Sequence, residues 1–386
     1  MRRRWTRRST PSGRRSKDER GWTLYPPGEV ITPATFVDDV PTTFWYDAKP
    51  YEPANHLNKI YGLISVRYAL RRSINIAAVK LAEMAGYERV AEMARRANLG
   101  DAIEATPSLA LGSYEATPLQ IAGAYTALVN GGTMKRPYFV RQVRDAQGRE
   151  LYRRTPEDVE VMDPRVAFMV TELLQDVMLR GTGAGARYTY KFEEPAAGKT
   201  GTDDDGWFAG FTNNLLCVVW VGFDDNTDIA IEGARSALPI WAEFMKRAHA
   251  VRPYRNPPPF EAPEGVVRVE LDPDTLELAT GGCPNPQTEY FIAGSQPTRF
   301  CGLHSGGFTL ATSVAGWDAA PHGAEPLLSP VSAPAIRPTP AVAIGTSSAP
   351  VIVPLPAGKT GDPADSGARE PKKSGVFKMV FGIFKK

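Results

Sequence analysis

Two short stretches carry side chains suited to joint chemistry. Lys199-Thr200-Gly201-Thr202 sets an ammonium, two hydroxyls and a bare backbone position in a row, and Ser73-Ile74-Asn75 sets a hydroxyl and an amide two residues apart. The first reads as a strand, because Trp207 to Thr212 and Leu215 to Phe223 follow it as two further strands. Pleating then sends Lys199 and Gly201 to one face and Thr200 and Thr202 to the other. With no side chain at Gly201, a ligand backbone can lie along that edge. Such a strand offers fixed positive charge, hydroxyl donors and backbone groups to an extended anionic peptide. Taken alone, Ser73 and Asn75 favour a simpler reading, in which Asn75 caps a second helix and Ser73 belongs to the break before it.

Two competing readings of the lysine stretch fall away. A phosphate-binding loop needs a glycine five positions before Gly198, where Glu193 stands, and a helix rather than a strand after it. Lys359-Thr360-Gly361 repeats the motif, but in a proline-rich tail without strand pattern. That copy is a chance occurrence.

The elements that must position these residues are legible nearby. Ser65 reads as the N-cap of a helix over residues 66–72, and a second helix runs from Ile76 to Ala85 and stops at Gly86. A third spans about Tyr87 to Ala97. Thr117-Pro118-Leu119-Gln120 has a cap, a first-turn proline and a capping-box glutamine, so a helix runs from there to about Asn130. Residues 137–161 read as a polar hairpin turning at residues 145–148. Asp163-Pro164 opens a helix with an apolar stripe of Val166, Met169, Val170, Leu173, Leu174 and Val177, ending at Gly181-Thr182-Gly183. The strand Leu215 to Val221 is almost continuously apolar, the pattern of a strand covered on both faces. A closing helix from Pro239 to Ala248 is expected to face inward through Ile240, Trp241, Phe244 and Met245.

Bulk properties bound the answer. A 386-residue chain with 42% hydrophobic residues can bury a full core, and a net charge of +2 gives no sign of nucleic-acid binding. No apolar run reaches the ~18 residues of a membrane-spanning helix. The Arg-rich start has no apolar stretch behind it and is no secretory signal. Four regions follow: a disordered basic remnant over 1–21, a main domain over 22–250, a small Cys-containing β-rich appendage over 257–304, and a Pro/Ala/Ser-rich disordered tail over 305–386 with a basic amphipathic end. In the appendage, Cys283, Cys301 and His304 lack a fourth zinc ligand at usual spacing, so no metal site and no cofactor is expected. If the protein is exported, a Cys283–Cys301 disulfide is preferred over free thiols.

Taken together, the serine–asparagine pair between two helices and Lys199-Thr200-Gly201-Thr202 on a strand followed by Trp207-Phe208 resemble the penicillin-binding proteins. The likeness is to the class A, type 1A-like transpeptidase domain and covers about residues 24–250. It implies an α+β, penicillin-binding-protein/serine β-lactamase-like fold: an antiparallel sheet flanked by helices, here missing its first strands. It implies a serine-type D,D-transpeptidase that cross-links peptidoglycan stem peptides, at the periplasmic face of the inner membrane or the cell surface. Its partners would be stem peptides, β-lactams and other cell-wall synthesis proteins. By the resemblance, Ser73 relays a proton, Asn75 binds the substrate backbone, and Lys199 supplies positive potential. The Thr200 and Thr202 hydroxyls bind the terminal carboxylate, Gly201 is substrate-binding along its bare edge, and the Thr202 N–H forms half of an oxyanion hole.

One departure is plain. The family's nucleophile lies in Ser-x-x-Lys, and that pattern occurs nowhere in these 386 residues. Residues 1–21 are therefore expected to be a mis-started remnant of a longer protein. A catalytically dead peptidoglycan-binding scaffold and a serine β-lactamase-like hydrolase are the alternatives. A sheet without its first strands is also expected to leave the Leu215 to Val221 strand as an open edge.

Overall fold

A computed structural model of the chain describes residues 30–304, apart from Asn226. The expected basic remnant, the C-terminal tail with its amphipathic end, and the second Lys-Thr-Gly copy lie outside the described residues.

The chain opens with four short strands: β1 (Phe36–Asp39), β2 (Phe44–Tyr46), β3 (Lys49–Tyr51) and β4 (Gly62–Ser65). β1 pairs antiparallel with β4, and β2 with β3. Three helices follow, α1 (Val66–Arg72), α2 (Asn75–Ala85) and α3 (Tyr87–Arg96). Ser65 caps α1 as its sequence implied, its hydroxyl accepting from the Tyr68 N–H at 3.1 Å. Next comes α4 (Pro118–Val129), where both capping-box bonds are made: Gln120 N–H to Thr117 Oγ1 at 3.2 Å and Thr117 N–H to Gln120 Oε1 at 2.9 Å. The polar hairpin is nested. β5 (Thr133–Lys135) pairs with β8 (Asp158–Glu160), and inside it β6 (Gln142–Arg144) pairs with β7 (Glu150–Arg153).

The helix α5 (Pro164–Arg180) buries its whole expected stripe. After the short α6 (Gly185–Tyr188) the chain makes three antiparallel strands, β9 (Ala197–Thr202), β10 (Gly206–Phe211) and β11 (Leu216–Val221), with β10 in the middle. Register sets Lys199 opposite Ala209 and Gly201 opposite Trp207. The last elements are α7 (Ala237–Ala250) and the antiparallel pair β12 (Val266–Leu271) and β13 (Gln287–Ile292).

The sheet separates two cores. Trp207, Ala209 and Phe211 face the larger one, built from α1 to α5, while Phe208 faces a smaller one built around Phe192, Leu238, Trp241 and Met245. β11 obeys the same alternation: Leu216, Val218 and Trp220 pack on the first core and Cys217, Val219 and Val221 on the second. Both faces are thus covered, as the apolar run required, yet every residue of β11 stays half-buried. The reason is lateral. Among the described residues β11 pairs with β10 alone, and its other edge carries no strand.

One expectation fails. In α7, Trp241 and Met245 are fully buried, but Ile240 is 52% and Phe244 50% exposed. The inward face instead runs through Leu238, Trp241, Ala242, Met245 and His249, because the Trp241 indole fixes the rotation by donating to the Gly210 carbonyl at 3.2 Å. Four consecutive-looking apolar positions did not define one face; the small Ala242 belonged to it instead.

Two outcomes follow from the open edge. A half-buried strand with one edge unpaired templates pairing with another chain, so sedimentation should show self-association rising with concentration. A monomer with one sharp cooperative melt would contradict this. Burial also pushes the Cys217 thiol on β11 up from its ordinary 9.0 to about 11. The folded protein therefore keeps this thiol protonated at pH values where an unfolded chain ionises. Alkylation of Cys217 in the folded protein should stay slow below that value and accelerate as pH passes it; fast labelling near pH 8 would refute the burial argument.

Candidate functional site

The chemistry gathers where the α1–α2 break meets β9. Ser73 is the C-cap of α1 and sits in the left-handed region at φ 57°, ψ 50°. Few residues other than glycine or asparagine take that conformation, and strain of this kind collects at working sites. Its N–H bonds back to the last turn of α1, so the turn leaves the hydroxyl pointing away from the helix toward the sheet. There Lys199 Nζ donates to Ser73 Oγ at 3.0 Å, across 126 residues of sequence. The same ammonium donates to the Thr200 carbonyl at 2.8 Å. Lys199 is only 3% exposed. A buried ammonium needs such acceptors, since leaving it unpaired costs several kcal/mol.

The hydroxyls of β9 turn the other way, as pleating demands. Thr200 Oγ1 lies 2.7 Å from Thr182 Oγ1, and Thr202 Oγ1 accepts from the Gly233 N–H at 3.0 Å. In the Thr182–Thr200 pair one hydroxyl donates to the other, which leaves a second proton for an outside acceptor. Thr182 is held by its own N–H to the Arg71 carbonyl at 3.3 Å. Gly181 makes that approach possible, because a Cβ there would stand 2.5 Å from the Arg71 carbonyl oxygen. The loop after α5 is thereby pinned to the last turn of α1, next to Ser73.

Asn75 does not cap α2 with its side chain, contrary to the simpler reading. It is the first residue of that helix, and its Nδ2 donates to the Ala54 carbonyl at 2.6 Å. The cap comes instead from Asn55, whose Oδ1 accepts from the Ile76 N–H at 3.1 Å. Asn55 is itself buried, and its Nδ2 donates to both oxygens of Asp39 at 2.9 Å and to the Lys59 carbonyl at 2.8 Å. Asp39, fully buried, also accepts from the Tyr61 N–H at 2.8 Å. This Asp39–Asn55 pair is the support under the α1–α2 break. Sequence reasoning missed it, because Asn55 lies in a Pro- and aromatic-rich stretch without periodicity. The following His56 reaches Glu232 at 3.3 Å, an exposed contact beside Gly233 that adds little stability.

The structure thus brings Ser73 and Lys199 together, sets Asn75 on the same helix break, and leaves the Thr200 and Thr202 hydroxyls against Thr182 and Gly233. Away from this site, Cys283 and Cys301 are free thiols rather than the expected disulfide. Asp272 supplies the fourth donor near them that spacing did not reveal.

Residues 29–246 match the family described as penicillin binding protein transpeptidase domain, and residues 262–306 match penicillin-binding protein 1A, C-terminal domain. The chain is 34% identical over 298 residues to penicillin-binding protein 1A of Aquifex aeolicus, covering 72% of this chain and 40% of the relative. It is 34% identical over 282 residues to penicillin-binding protein 2D of Bacillus subtilis, covering 70% of this chain and 40% of that protein. The crystal structure of penicillin-binding protein 1A from Haemophilus influenzae superposes with a TM-score of 0.63 at 27% identity, covering 71% of this chain and 46% of that one. The chain therefore spans about two fifths of the length of these curated relatives.

Two measurements test the support around Ser73. Replacing Asn55 by alanine removes the α2 cap and strips a buried carboxylate of a partner, so urea unfolding should show a loss of about 3 kcal/mol; a change within experimental error would remove Asn55 from this role. Because the left-handed backbone at Ser73 penalises a Cβ, Ser73→Gly should be more stable than Ser73→Ala by about 1 kcal/mol, with equal stability counting against strain.

Proposed function

The chain belongs to the penicillin-binding transpeptidase family, with class A, 1A-type relatives, and on that premise we propose that it forms the substrate-binding and proton-relay side of a serine-type D,D-transpeptidase site. The family's reaction class is acyl transfer between peptidoglycan stem peptides. In the proposed reaction a serine oxygen attacks the D-Ala-D-Ala amide carbonyl, and the C–N bond breaks. The departing nitrogen takes a proton through Ser73, which Lys199 holds and polarises. The acyl group then passes to an amine of a neighbouring stem. A β-lactam would enter the same slot and acylate the same serine.

The observation that carries this reading is the 3.0 Å bond between Lys199 Nζ and Ser73 Oγ. It aligns a fixed cation with a hydroxyl proton carrier at the end of an open strand edge. Asn75 keeps one amide N–H on Ala54, so its Oδ1 suits the substrate backbone. The substrate carboxylate would lie against the Thr182–Thr200 hydroxyl pair and the Thr202 turn, and the Thr202 N–H would serve as one oxyanion donor, a contribution of about 3 kcal/mol when such a donor is lost. The reacting serine belongs to a Ser-x-x-Lys segment that these 386 residues do not contain. Among the described residues no helix is long and apolar enough to cross a membrane; action at the outer face of the cytoplasmic membrane is part of the proposal.

The test supplies that segment. Co-expression with a Ser-x-x-Lys-bearing segment of the family's transpeptidase domain, followed by a fluorescent penicillin, should give a covalently labelled serine. Lys199→Ala and Ser73→Ala should each lower the acylation rate ~10²–10⁴-fold. Labelling unchanged by both substitutions would overturn the relay. Saturable but reversible binding of the penicillin, with no covalent adduct, would favour a non-catalytic scaffold.

A further inference from the structure

The segment after α7 holds a cluster that the transpeptidase chemistry does not use. Asp272 directly follows β12, Cys283 follows the Gly281-Gly282 turn, and Cys301 and His304 follow β13. One donor atom from each of these four residues lies within 4.8 Å of the others. His304 Nδ1 is 2.8 Å from Asp272 Oδ2 and 3.5 Å from Cys301 Sγ. Asp272 and Cys301 are almost fully buried, at 0% and 1% exposure, and Cys283 at 7%.

The surroundings aim these donors inward. Asp272 Oδ1 is saturated by its own turn, accepting from Asp274 N–H, Thr275 N–H and Thr275 Oγ1 at 3.0–3.1 Å. That division leaves Oδ2 facing the cluster. Cys283 Sγ accepts from the Thr280 N–H at 3.2 Å, the kind of N–H···S bond that steadies a thiolate. Gly282 lets the two loops touch, since a Cβ there would stand 2.1 Å from the His304 carbonyl oxygen.

We propose that Asp272, Cys283, Cys301 and His304 bind one zinc ion that staples the β12–β13 unit. Two sulfurs, an imidazole nitrogen and a carboxylate oxygen are a donor set for zinc rather than for calcium or magnesium, which take oxygen ligands. With metal–ligand lengths of ~2.0–2.3 Å, the corners of a tetrahedral site stand roughly 3.3–3.8 Å apart. To meet those spacings the wider pairs, up to 4.8 Å, draw in and the 2.8 Å His304–Asp272 pair opens by about half an ångström. Four protein ligands close the coordination shell, so the ion is structural and not catalytic. Binding displaces the two thiol protons to solvent and changes no oxidation state. The need is physical as well: two six-residue strands make a thin core, and small units of this kind are commonly held by a metal or a disulfide.

The experiment uses the whole chain, purified under reducing conditions without chelator. Elemental analysis should find one zinc per chain, and replacement by cobalt(II) should give the intense near-ultraviolet band of a thiolate-bound tetrahedral ion. Alkylation followed by peptide mapping should show Cys283 and Cys301 protected with zinc and modified after chelation. Cys283→Ser and Cys301→Ser should abolish the cobalt band while Cys217→Ser keeps it. Thr280→Val leaves all four ligands and the Thr280 N–H in place but removes the Thr280 Oγ1 that lies 3.5 Å from Cys283 Sγ, and should weaken zinc binding ~10–100-fold. The proposal is overturned if the reduced wild-type chain takes up neither zinc nor cobalt, or if it is isolated with Cys283 and Cys301 linked and binds no metal after reduction.

Discussion

A buried ammonium sets the terms for this fold. Lys199 lies on β9, an outer strand of the three-stranded sheet, at 3% exposure, and its charge must be met by oxygen acceptors placed within hydrogen-bond reach. One acceptor, the Thr200 carbonyl, comes with the strand itself. The other, Ser73 Oγ, arrives from a helix end 126 residues earlier. Bringing it there requires that α1 stop after Arg72, that Ser73 take a left-handed backbone, and that α2 start at once. Each of those requirements is satisfied by something further out.

The outer supports are polar and buried. Asn55 joins the start of α2 to Asp39 on β1, so the first strands and the second helix are held in one hydrogen-bonded unit. Thr182 joins the end of α5 to both α1 and β9. On the far side of α1, Arg67 donates to both carboxylate oxygens of Glu289 on β13. Burial works to lower the Arg67 pKa, but Glu289 and Asp176 outweigh it and raise it. The helix that presents Ser73 is thus tied at one end to the site and along its side to the β12–β13 unit. A metal holding that unit together would act on the same helix through the Arg67–Glu289 pair.

Much of this was legible in the residues. The three consecutive strands, the helix caps at Ser65 and Thr117, the α5 stripe and the helix break at Ser73 all follow from local chemistry, where periodicity and capping agree with the final packing. The pairing of Lys199 with Ser73 came from motif resemblance, since nothing local to either stretch says that they meet. What stayed hidden was non-local or aperiodic. Asn55 sits in an irregular segment and acts on a helix 21 residues away. Asp272 joins two cysteines and a histidine only because β12 and β13 pair, and no ligand-spacing rule in sequence reports that contact. The rotation of α7 was misjudged because the Gly210 carbonyl that anchors Trp241 belongs to another element.

The account turns on energetic coupling between Lys199 and Ser73, which a double-mutant cycle measures directly. Ser73→Ala, Lys199→Met and the double variant, compared by urea unfolding, should show a coupling energy of about 1–3 kcal/mol, with the single serine change costly because it leaves a buried cation short of an acceptor. Strict additivity of the two changes would mean that the strand and the helix break do not act as one unit, and the site described here would not stand.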